Sequence, residues 1–125
     1  MNKMKYTLLI LICLISLNSY SLELTLSQGT VKPTPIAVTD LFSQVSSLEK
    51  IGKNISSVIS DNLERSGLFM PINPKAFIQS SESLSSQPRF EDWKVIKAQH
   101  LVAGKIETSG DNISVEFRLF DVFAQ

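Results

Sequence analysis

The sequence predicts a small α/β domain, a two-layer sandwich in the order β-β-α-β-α-β-β. Three observations lead there. Apolar and polar residues alternate with period two at both ends of the domain, over Leu22–Ser27 and Ile113–Phe120. One long helical stripe lies between them, from about Leu48 to Ser66, and a shorter one follows from about Pro88 to Ala98. Two helices with one apolar stripe each need a single sheet to cover, and a helix layer on a sheet is the economical solution.

The domain begins after a leader. Lys3 and Lys5 precede a charge-free apolar run, Tyr6–Leu17, that dissolves into Asn18, Ser19, Tyr20 and Ser21. This is the layout of a secretory signal peptide, and the run is shorter than the roughly 20 residues a spanning helix needs. Cleavage is expected after Ser21, which makes residues 1–21 the signal peptide and 22–125 the domain, exported to the periplasm with no stable membrane insertion afterwards. Cys13 lies inside the oily run after Ile12, where a lipoprotein signal wants a small residue, so it is read as part of the leader. Losing Lys3 and Lys5 leaves ten basic residues against twelve acidic ones. That balance offers no concentrated positive surface for a nucleic acid. The mature chain has no cysteine and needs no disulfide chemistry in an oxidising compartment.

Each element then follows in turn. In "LELTLSQG" the leucines Leu22, Leu24 and Leu26 alternate with Glu23, Thr25 and Ser27, a strand with one buried face closed by Gln28 and Gly29. Pro33 and Pro35 suit the entrance to a short strand, Ile36–Val38. Leu48, Ile51, Ile55, Val58, Ile59 and Leu63 share an arc of roughly 140° on the long helix. Ser46 and Glu49 have capping-box spacing, and Gly67 supplies the left-handed stop. Gly52 and Asn62 fall on the apolar arc, read as a close backbone approach and a satisfied polar contact. "LFMPINP" is a short edge strand limited by Pro71 and Pro74, and the serine-rich Ser80–Pro88 reads as a mobile surface loop. The second helix offers Phe90, Trp93 and Ile96 to the core. The chain closes as a hairpin, His100–Ile106 and Ile113–Phe120, turning around Ser109–Asn112.

Catalytic equipment is sparse. The single histidine, His100, stands beside Leu101 and Val102 without metal-ligand spacing around it. Glu91 and Asp92 are adjacent carboxylates, but a first helical turn favours negative charge without any catalytic role. No serine sits in a nucleophile elbow. The sequence therefore predicts a non-enzymatic protein with no cofactor and no metal site. Its most promising functional feature is the opening strand, since an extended terminal segment can add itself to the sheet of a partner.

Six pieces in this order, "LELTLSQG", "PIAV", "SDNLERSGLFMPI", "FEDW", "HLVAGKI" and "VEFRLFD", resemble the N-terminal domain of the TolB family of the bacterial Tol-Pal system. At the helix exit Asp61, Leu63, Ser66, Gly67, Phe69 and Pro71 match its D-x-L-x-x-S-G-x-F-x-P pattern. The resemblance implies a five-stranded mixed sheet with two helices. It also implies that the mature N-terminal segment, here Leu22, Glu23, Leu24, Thr25, Leu26 and Ser27, binds the C-terminal domain of TolA, in support of outer-membrane integrity and envelope constriction during division. In the family a β-propeller follows and binds the lipoprotein Pal. The chain stops at Gln125, so binding of Pal is not expected of it. The alternative is a stand-alone envelope adaptor of similar fold, directed at a cell-wall synthase or an outer-membrane assembly factor.

Overall fold

The computed structural model describes residues 31–124. Within them the chain forms a four-stranded mixed sheet, three α-helices and one 3₁₀ turn: β1 (Thr34–Val38), α1 (Ser46–Arg65), β2 (Phe69–Pro71), the 3₁₀ turn (Pro74–Ala76), α2 (Ser81–Leu84), α3 (Phe90–Val95), β3 (His100–Ser109) and β4 (Asn112–Asp121). The strand order is β2-β1-β3-β4. β1 pairs in parallel with β2 and β3, and β3 pairs antiparallel with β4. The fifth strand expected, Leu22–Ser27, lies outside the described residues.

Two layers become three. Ile36, Val38 and Val102 pack against Ile59, Leu63 and Phe69, and Ile106 joins Leu41, Leu48 and Ile55; these residues place α1 on one face of the sheet. Ala37, Leu101 and Ala103 point the other way into a separate cluster with Leu84, Trp93, Ala98 and Val122. The alternation is reversed on purpose in neither strand: "IAV" and "LVA" are apolar throughout because both of their faces are buried, as parallel strands require. Two helices were expected to share one face, but the sheet needs cover on both.

α1 departs from its expected face in detail. Its buried residues are Leu48, Gly52 and Ser56, while Ile51 and Val58 remain exposed. The seam follows the small residues because Gly52 lets the helix approach the chain closely: a Cβ there would meet the Leu41 carbonyl oxygen at 2.7 Å. Ser56 uses the same approach to accept a hydrogen bond from the Leu41 amide (3.1 Å), while its hydroxyl donates to the Gly52 carbonyl (3.0 Å). Asn62 is exposed rather than buried in a polar contact. The capping box is not formed either, because Ser46 is already inside the helix and Val45 occupies the cap without a side-chain bond. Gly67, at φ 72°, ends the helix as expected.

Ser80–Pro88 is not simply a loop. Ser80 accepts a bond from the Ser83 amide at the start of α2, and Leu84 is carried into the core. Polar serines at caps leave the one leucine to anchor the segment. α3 stops earlier than expected, since Lys97 takes the left-handed conformation (φ 61°) usually given to glycine and Ala98 N bonds to the Trp93 carbonyl (3.0 Å). The hairpin has a two-residue turn, Gly110-Asp111, with positive φ at Gly110 alone. That pattern suits a type II′ turn, whose twist matches the flanking strands.

One buried polar residue organises the second face. Gln79, only 3% exposed, accepts from the Arg89 amide (2.8 Å) and from Trp93 Nε1 (3.1 Å), while its Nε2 donates to the Gln87 carbonyl (3.1 Å). It ties the start of α3 to the segment before α2. Gln79→Ala strands the buried Trp93 Nε1 donor and the part-buried Arg89 amide, and such a loss costs about 1–3 kcal/mol. The urea midpoint should fall accordingly with an unchanged slope; a variant as stable as the parent would show that water replaces the side chain.

Candidate functional site

The candidate binding segment, Leu22, Glu23, Leu24, Thr25, Leu26 and Ser27, lies outside the described residues, so its site is defined by sequence alone.

Glu91 and Asp92 are engaged at the surface. Lys94 Nζ lies 2.8 Å from Glu91, and Arg89 lies 2.7 Å from Asp92, both within one turn of α3. Trp93 between them is fully buried, with its ring edge-on to Phe77 at 5.2 Å between centroids. It is core and presents no platform to a ligand, in agreement with the reading of the sequence.

His100 opens β3 across from Asp121 and edge-on to Phe69 (6.1 Å). Its Nδ1 is buried with no hydrogen-bond partner among the described residues. The Asp121 carboxylate accepts from the amides of Ala124 (3.0 Å) and Phe123 (2.9 Å). Those two amides, Ala124 first, hold its carboxyl below the usual range; burial opposes them, and His100 adds the least of the lowering effects. Its role is to cap the turn after β4. Because the folded form favours the ionised carboxylate, whatever it adds to stability is present above the ordinary aspartate range and is lost as pH falls below it.

Two open clefts flank β1 and β3. One, of about 450 Å³, is lined by Leu84, Gln87, Pro88, Lys105, Glu116 and Arg118 among others. Another gathers Asp40, Glu49, Lys50, Lys53, Ser81 and Glu82 beyond the C-terminal end of β1, where open parallel sheets often hold ligands. In neither does a described serine hydroxyl hydrogen-bond to a carboxylate or a lysine. No group of three or more metal-ligating side chains occurs among the described residues, and no described helix is long and apolar enough to cross a membrane.

The sheet edges are the more distinctive surfaces. β2 is a three-residue edge that ends at Pro71. β4 is a ten-residue edge on which Ile113, Val115, Phe117 and Leu119 are 50%, 40%, 60% and 62% exposed. The alternation of β4 was legible in the sequence. α1 lies over β1, β2 and β3 and leaves β4 bare.

A mixed sheet with helices on both faces defines a domain of the α/β class. Residues 22–125 match the family model described as the TolB amino-terminal domain. The chain belongs to the TolB family, and corresponds to that amino-terminal domain. It is 50% identical over 102 residues to the Tol-Pal system protein TolB of Paramagnetospirillum magneticum, covering 81% of this chain and 23% of that protein. It is 39% identical over 127 residues to the Tol-Pal system protein TolB of Pelagibacter ubique, covering 94% and 28%. The chain thus spans about a quarter of the length of these relatives. The crystal structure of TolB from Acinetobacter baumannii shares the fold, with a TM-score of 0.58 at 20% identity over 75% of this chain and 21% of that one.

Proposed function

We propose that this chain acts in the periplasm as a non-enzymatic partner-binding module of the Tol-Pal system. Its segment Leu22–Ser27, freed at its N-terminus by signal-peptide cleavage, adds as a strand to the C-terminal domain of TolA. Through that contact it supports outer-membrane integrity and envelope constriction during division. The observation that carries the reading is a coincidence of boundaries. The family match begins at Leu22, the residue that the leader's charge and small-residue pattern independently makes the first of the mature protein. The segment therefore belongs to the family domain while standing at a free terminus, where strand donation costs least. Backbone bonds would supply affinity, and Leu22, Leu24 and Leu26 on one side would supply selectivity.

The test is an NMR titration of residues 22–125 with the TolA C-terminal domain. Shifts should concentrate at Leu22–Ser27. Leu24→Pro removes a ladder donor in the middle of the segment and should abolish the response without altering the rest of the spectrum. Affinity retained by that variant, or a folded spectrum that does not respond to TolA, would defeat the reading.

A further inference from the structure

We draw no further inference here: the strongest candidate, the crevice beyond the C-terminal end of β1 where α1 begins without a side-chain cap beside Lys50 and Lys53, rests on a helix N-terminus alone, since its buried polar side chain, Ser43, is already taken by the Val45 amide (3.0 Å) and nothing else in the structure points to a ligand there.

Discussion

Trp93→Ala should lower the unfolding free energy by about 3–5 kcal/mol, the range for truncating a large buried aromatic. Few substitutions in this domain should cost more. Trp93 is fully buried among Ala37, Leu84, Ala98, Leu101, Ala103 and Val122, so its removal opens a cavity touching α2, α3, β1 and β3 together. The edge-on contact with Phe77 and the bond to Gln79 are lost as well. A small domain has only about 5–15 kcal/mol to lose, so the variant should be partly unfolded near 37 °C. Trp93→Phe keeps most of the ring packing but not the Nε1 donor, and should fall between parent and alanine variant. Urea unfolding followed by far-ultraviolet circular dichroism tests the order, since the only tryptophan is absent from both variants. A loss below about 1 kcal/mol for Trp93→Ala would mean that the helices on that face repack around the gap. Trp93 and Gln79 share a hydrogen bond, so their costs should not add.

How far the sequence reached depended on whether a signal was local. The long helix announced itself through its stripe and its glycine stop, and the closing hairpin through alternation and a Gly-Asp turn. The buried seam of α1 was harder: hydrophobicity ranks Val58 and Ile51 above Gly52 and Ser56, while close approach of the backbone ranks them the other way. The third layer was visible only as "IAV" and "LVA", runs too short to distinguish a strand buried on two faces from one buried on one. α2 was hidden by its serines, whose capping role depends on where Leu84 docks. Gln79 carried no pattern at all, because its importance lies in meeting Trp93 and Arg89 across a turn of chain. The candidate binding segment stands apart: the leader and the alternation single it out, the resemblance alone supplies TolA, and the segment lies outside the described residues.

Gly104→Ala should be the other severe substitution, although it adds a single methyl group. The new Cβ would fall against the Glu116 carbonyl oxygen and 2.7 Å from Phe117 Cα, both backbone atoms of β4. A flexible side chain could rotate away, but a ladder strand has to shift as a unit. On the other side Gly104 is held by the Phe42 amide at 2.9 Å, so β3 cannot retreat without breaking that bond. Overpacking commonly costs about 1–3 kcal/mol, and a clash confined to backbone should lie at or above the upper end. The damage should be local before it is global. Hydrogen exchange should speed up first at the β4 amides bonded to β3, ahead of β1 and α1, because the hairpin can open while both apolar clusters under α1 persist. Uniform loss of protection across the sheet would show that the hairpin and the parallel strands unfold as one unit. Unchanged stability would show that β4 can bend around a methyl group.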